Sequence, residues 1–273
     1  MPDHNTPERK ALLRSLSTLT LLACLAFATP ALAEDGLEPG ENTDPSTPAE
    51  LAQDHDAAVD RGFLTAHAET IGEGKWAFNA YDLLFIGLTY GFTDDIQVSL
   101  STLLPVTSDI PLVLAFQPKF VLARTDDTVV SLRTPLAFAS SDGDTAGVIG
   151  AGVLLDQYLD KDGRFALHAG FLVAGAFGVF DSGDFDFGDG ALFELDLGAS
   201  LGVASILKII LEVQLAAVAS EDGFEIADVA LVNYGVRFFS GSIAGDLGFT
   251  YPVGGDVDDL LLGIPYLAFS ARF

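Results

Sequence analysis

Residues 191–202 read ALFELDLGASLG, and their side chains separate by parity. Phe193, Leu195, Leu197, Ala199 and Leu201 fall on one side, with Glu194, Asp196, Gly198, Ser200 and Gly202 on the other. A helix would scatter the two acids around its circumference, whereas a strand turns alternate residues to opposite faces. The same period recurs in SIAGDLGFTY (242–251), where Ile243, Leu247, Phe249 and Tyr251 alternate with Ser242, Ala244, Asp246, Gly248 and Thr250. In RFALHAGFLVAGAF (164–177), Phe165, Leu167, Phe171, Val173 and Phe177 alternate with Arg164, Ala166, His168, Gly170 and Ala174. Around 208–217, Lys208, Glu212 and Gln214 share a face opposite Ile209, Leu211, Val213 and Leu215, a pattern that a helix would also satisfy in part; its neighbours favour the strand.

The composition of the second face chooses between all-β architectures. A soluble sandwich exposes long polar side chains, but here that face is crowded with Gly, Ala and Ser. A transmembrane barrel turns bulky residues toward lipid and small or polar ones toward a confined interior, and it must close because an open edge in hydrocarbon leaves backbone groups unpaired. Beyond Lys75 no apolar run is long enough for a membrane helix. Strands are expected near 75–81, 84–92, 96–104, 111–124, 128–139, 146–156, 164–178, 191–203, 207–219, 229–239, 242–251 and 261–273. The fold class predicted is therefore all-β, a transmembrane antiparallel up-and-down β-barrel of about 12 strands (10–14). Short connections at Thr93, Thr125, Asp160, Ser205 and Ser240 alternate with longer acidic ones, the asymmetry of periplasmic turns and external loops, which puts both termini in the periplasm.

The formal net charge is −26 although 49% of residues are hydrophobic and only 19% charged, so acids and apolar residues must be segregated along the chain. Arg9, Lys10 and Arg14 precede the apolar run SLSTLTLLACLAFA, and Ala31 and Ala33 supply small residues at a cleavage site before Glu34. This is the pattern of a cleaved signal peptide over 1–33. The LLAC run at Leu21–Cys24 resembles a lipoprotein box, but the apolar run continues past it to the better site. Cleavage removes the single cysteine, Cys24, and with it any disulfide or thiolate site. Residues 34–70 are acidic and Pro-rich on average and are expected to form a disordered periplasmic leader, with a short helix possible in PAELAQDHDAAVDRGF, ahead of a barrel over 71–273.

The final segment, in which Leu267, Phe269, Ala271 and Phe273 alternate to a terminal phenylalanine, resembles that of bacterial outer-membrane β-barrels. LTYGFTDDIQVSLSTLLP (88–105) is similar to a Tyr-Gly-x-Thr-Asp hairpin of porin-like barrels, including the putative phenol-degradation-pathway barrel family. Ala271 departs from the pattern, since an aromatic is more usual there. The resemblance implies outer-membrane location, contact with lipid and lipopolysaccharide, and recognition of Leu267, Phe269 and Phe273 by the barrel-assembly machinery.

By parity the interior collects Gln97, Lys119, Arg133, Asp156, Arg164, His168, Glu194, Asp196, Glu212, Gln214, Arg237, Asp246 and Arg272. Bases and acids there nearly balance, so the negative charge resides in the loops and leader. Opposed charges of this kind either line a narrow pore for small solutes or pair with one another and hold a non-conducting barrel shut. His168 and Ser200, with Asp196 or Glu194 nearby, could be drawn as the elements of a lipid hydrolase, but no nucleophile elbow accompanies them. No enzyme activity, cofactor or metal is expected. His55 and His67 lack a ligand pattern, and in the acidic loop holding Asp181, Asp184, Asp186 and Asp189 the calcium-site glutamate is replaced by Leu195. The acidic excess argues against nucleic-acid binding. The expected function is a passive channel.

Overall fold

Each strand of the sheet finds its antiparallel partner in a ring that returns to its own start. The structure, a computed structural model, describes residues 48–82, 84–104, 112–141, 144–179, 185–220, 223–227, 229–254 and 263–273. Residues 1–33, expected to be a signal peptide, and residues 34–47 lie outside the described residues, as do Asp181 and Asp184. The strands are β1 (Trp76–Tyr81), β2 (Phe85–Thr93), β3 (Ile96–Leu103), β4 (Leu112–Arg124), β5 (Thr128–Arg133), β6 (Leu136–Ser141) and β7 (Asp144–Tyr158). They continue with β8 (Phe165–Val179), β9 (Phe185–Ala204), β10 (Leu207–Ser220), β11 (Gly223–Ile226), β12 (Ala230–Phe239), β13 (Ile243–Val253) and β14 (Ile264–Arg272).

Among the described residues, fourteen strands make twelve staves. β5 and β6 both lie between β4 and β7 and keep the same register across their junction, where Pro135 has no N–H to give the ladder; an irregularity between Val121 and Ala123 shifts the far end of β5 against β4. β11 and β12 likewise share β10 as partner. The ring closes by β1 on β14, from Ala77 opposite Arg272 to Tyr81 opposite Ala268. Trp76 and Phe273 finish the seam by exchanging backbone hydrogen bonds of 2.7 and 3.0 Å. Both ends of the barrel thus meet at the end of the short turns, where Arg272 donates to the Gly241 carbonyl.

The two faces differ as the alternation predicts. Leu197, Leu211 and Leu247 point outward and are about half exposed, at 47%, 48% and 50%. Asn79, Thr89, Ser131, Asp196 and Glu212 point inward and are buried. This is the inverse of a soluble sandwich and the arrangement a bilayer requires. In the last strand Leu267, Phe269 and Phe273 face out, with Tyr266, Ser270 and Arg272 inside. Ala271 is outward by parity yet buried, because its short side chain sits between the larger cross-strand partners Phe78 and Ile243.

Two boundaries differ from expectation. Residues 185–190, read from sequence as acidic loop, continue β9, pairing Phe185–Phe187 with Phe177–Val179. β9 is 20 residues long, about twice what a tilted strand needs to cross a bilayer. The second difference concerns residues expected in a disordered leader. A helix, α1 (Pro48–His55), is followed by a chain that enters the barrel, and Ala57, Phe63, Ala68, Glu69 and Ile71 are almost fully buried. The average composition of 34–70 concealed this, because the apolar residues are gathered in its last third.

Replacing Leu197 by lysine should destabilise the barrel by about 2–4 kcal/mol if the position lies near the bilayer midplane. Urea unfolding in phospholipid vesicles, against Leu197→Ala, measures it.

Candidate functional site

The N-terminal segment, residues 56–74, buried as far as Gly72 except for half-buried Leu64, forms a strap that enters from the short-turn end, reverses inside the lumen and returns to β1. Its entrance is fastened to the short turns: Ala57 donates to the Ser240 carbonyl at 3.1 Å and the Thr70 hydroxyl to the Asp94 carbonyl at 2.5 Å. The reversal is a small antiparallel hairpin, with Arg61 bridged to Ala66, Gly62 donating to the Thr65 carbonyl at 2.9 Å and His67 to the Asp60 carbonyl at 3.0 Å.

The wall binds this hairpin largely through its backbone. Glu212 accepts from Phe63 N, Leu64 N and the Thr65 hydroxyl at 2.9, 3.0 and 2.6 Å, so one carboxylate satisfies the donors at the tip. A side chain at Gly62 would run into that carboxylate. Asp156 accepts from Ala68 N and Glu69 N at 2.9 and 3.1 Å, and Gln97 from Ile71 N at 3.0 Å. In the opposite sense, the Lys119 ammonium donates to the carbonyls of Asp60, His67 and Glu69. Arg237 donates to those of Ala58, Arg61 and Gly62 at 2.7, 2.9 and 2.7 Å. Phe63 packs on Tyr81, Ile210 and Tyr266, and the Tyr266 hydroxyl donates to the Phe63 carbonyl at 2.5 Å.

Charges are paired as well. Arg61 of the strap and Arg237 of β12 converge on Asp246, at 2.5 and 2.7 Å. Arg124 holds both oxygens of Glu69 at 2.8 Å; burial nevertheless raises the Glu69 carboxyl to about 7. Burial alone would also raise Asp56, but Lys208 at 2.7 Å and Arg237 at 3.4 Å outweigh it and hold that carboxyl well below the usual carboxylate range. His67 is driven well below the ordinary imidazole range by burial first and then by nearby His168 and cations.

Beyond the strap, Arg133 bridges Glu194 and Asp196, and Gln214 donates to Asp196 and accepts from Asn233, each at 3.3 Å. Gln97, Lys119, Arg133, Asp156, His168, Glu194, Asp196, Glu212, Arg237, Asp246 and Arg272 are therefore inside, as parity predicts, and Gln214 is half-buried there. Arg164 is the exception: it lies just before β8 at the barrel rim, exposed, where water solvates it. Sequence reasoning missed Asp56, Asp60, Arg61, Thr65 and Glu69. The available signal was the run DRGFLTAHAETI, whose Arg61, Phe63, Leu64 and Ile71 break the character of an acidic linker.

The serine–histidine pair is also real, but with a different acid. His168 lies 3.1 Å from the Ser200 hydroxyl through Nε2 and 2.8 Å from Asp156 through Nδ1, while Asp196 belongs to the Arg133 cluster. All three are buried beneath the strap, and His67 stacks on the imidazole, so the group ties wall and strap together.

No family model matches the chain, and the phenol-degradation resemblance remains an expectation. No curated protein matches it either. Among solved structures, an outer membrane channel from Pseudomonas putida F1 is 11% identical, with a TM-score of 0.49 over 76% of this chain and 98% of that one. The NanC porin is 10% identical, with a TM-score of 0.46 over 72% and 97%. The KdgM porin, solved in complex with disordered oligogalacturonate, is 8% identical, with a TM-score of 0.44 over 72% and 95%. The barrel described above rests on its own strand pairing, and likeness at this level says nothing of solute.

Two outcomes test the strap. Glu212→Gln puts an amide donor against donors and should speed hydrogen exchange at residues 63–65 by about tenfold or more. For Asp56 the folded pKa lies below the unfolded one, so its ion pairs stabilise the seated strap above about pH 4 and that stabilisation fades on further acidification. Exchange of the strap amides should rise there in the wild type and change less in Asp56→Asn.

Proposed function

We propose that this protein is a porin-like channel of the bacterial outer membrane for small polar solutes, closed by its N-terminal strap in the conformation described. The supporting observation is that the inner wall carries many polar and charged side chains, beside apolar patches such as that around Phe63 and Ile210, and that these polar groups hold the strap by hydrogen bonds and ion pairs, contacts that water or a permeating solute can replace. A core meant only for stability would be served as well by apolar packing. Past the strap tip, Arg133 facing Glu194 and Asp196 sets opposed charges across the path, the means by which narrow pores orient solutes. Export by the signal peptide, periplasmic termini and an outer collar against lipopolysaccharide belong to the same reading.

A second reading, a non-conducting barrel that anchors or organises the envelope, draws on the density of bonds between strap and wall. Conductance of the refolded full chain in planar bilayers separates the two. The channel reading expects brief, small ohmic steps in the wild type and an open fraction about tenfold higher in Glu212→Gln, where the tip is loosened. Arg133→Glu should shift selectivity toward cations. Silence of all three at every voltage favours the structural barrel.

A further inference from the structure

His67 and His168 meet where the strap lies on the wall, and solute passage gives neither ring a task. Their centroids are 3.6 Å apart and their planes 6° from parallel. Each ring has Nδ1 against an oxygen, His67 at 3.3 Å from the Val59 carbonyl and His168 at 2.8 Å from the Asp156 carboxylate. Carbonyl and carboxylate oxygens accept, so both Nδ1 atoms carry a proton, and in the neutral form of each ring Nε2 keeps a lone pair. His67 Nε2 is buried without a hydrogen-bond partner, and the residue is only 5% exposed. His168 Nε2 has the Ser200 hydroxyl, which a stronger Lewis acid can displace. Potential ligand atoms of His67, Asp156 and His168 all lie within 4.8 Å of one another.

We propose that His67 and His168 form a site for a divalent transition metal of the zinc type through their Nε2 atoms, bridging the strap to the barrel wall, with Asp156 holding His168 from its Nδ1 side. Neutral imidazole suits Zn²⁺, Ni²⁺, Co²⁺ and Cu²⁺ and does not suit the hard cations Ca²⁺ and Mg²⁺. A metal-bound histidine commonly donates its other N–H to a carbonyl or carboxylate, which fixes the tautomer; both histidines here do so before any metal arrives. The parallel rings must part for two in-plane lone pairs to converge, and His67, whose outer nitrogen has no bond to lose, is the ring that turns. The cations nearby are already engaged: Lys119 with strap carbonyls, Lys208 with Asp56, and Arg237 with Asp56 and Asp246. A metal there would join a residue of the strap to a residue of β8 and so oppose release of the strap.

The test uses the untagged full chain, refolded in detergent, stripped with chelator and titrated with Zn²⁺ by calorimetry and with Co²⁺ by visible absorption. One metal per barrel is expected, bound about 10–100-fold more weakly by His67→Gln and by His168→Gln. His55→Gln, at the exposed end of α1, should bind as the wild type does. Zn²⁺ should also slow hydrogen exchange of the strap amides in the wild type and not in His67→Gln. Gel migration of heated and unheated samples reports folding, and because His67 lies on the strap, its variant leaves the wall intact even if His168→Gln fails to fold. Absence of stoichiometric Zn²⁺ uptake by the folded wild type, or equal affinity in His67→Gln, would overturn the site.

Discussion

Everything in this molecule follows from the need to pair every backbone N–H and C=O that faces hydrocarbon. A sheet meets that need only by closing, and the seam between β1 and β14, sealed by Trp76 and Phe273, is where it does so. Closure creates a second, inner surface of limited volume. Residues alternate across each stave, so an outer belt of Leu, Val and Phe obliges the same strands to carry their polar and small residues inward.

The inward residues then pose a problem of their own. Glu212, Asp156, Asp246, Lys119 and Arg237 are nearly inaccessible, and an unpaired charge at such depth is costly enough that each needs a partner. Facing residues supply only part of what is needed. The strap supplies the rest, and chiefly with its backbone: N–H groups for the carboxylates and carbonyls for the ammonium and guanidinium groups. A polypeptide bend offers both in a small volume, which is how so short a segment can satisfy a wall with many charges. Glycine at 62 lets the Glu212 carboxylate reach the tip, and a side chain at Gly248 would press on the Phe63 ring.

Much of the barrel was legible from the chain. The alternation in 191–202 identifies the stave and its faces, and Pro135 marks the break in the stave formed by β5 and β6 only after register is known. The interior set was readable by parity, apart from Arg164, which the rim leaves in water. The strap was not readable, because nothing in its spacing is periodic and its partners are distant: Phe63 and Glu212 meet only after the sheet has closed. His67 and His168 are similarly remote, one in a segment resembling a linker and the other alone on a strand, so no ligand spacing could announce them.

By itself, then, the sequence determined the period of the strands, the sign of each face, the approximate number of staves and the strand that closes the ring. Those properties depend on neighbours one and two residues away and on the difference between hydrocarbon and a confined polar interior. Only the tertiary structure decided what fills that interior. Many of the partners of Glu212, Asp156, Lys119 and Arg237 are backbone groups that every residue carries and no residue advertises, and only the closed ring brings them within hydrogen-bonding distance.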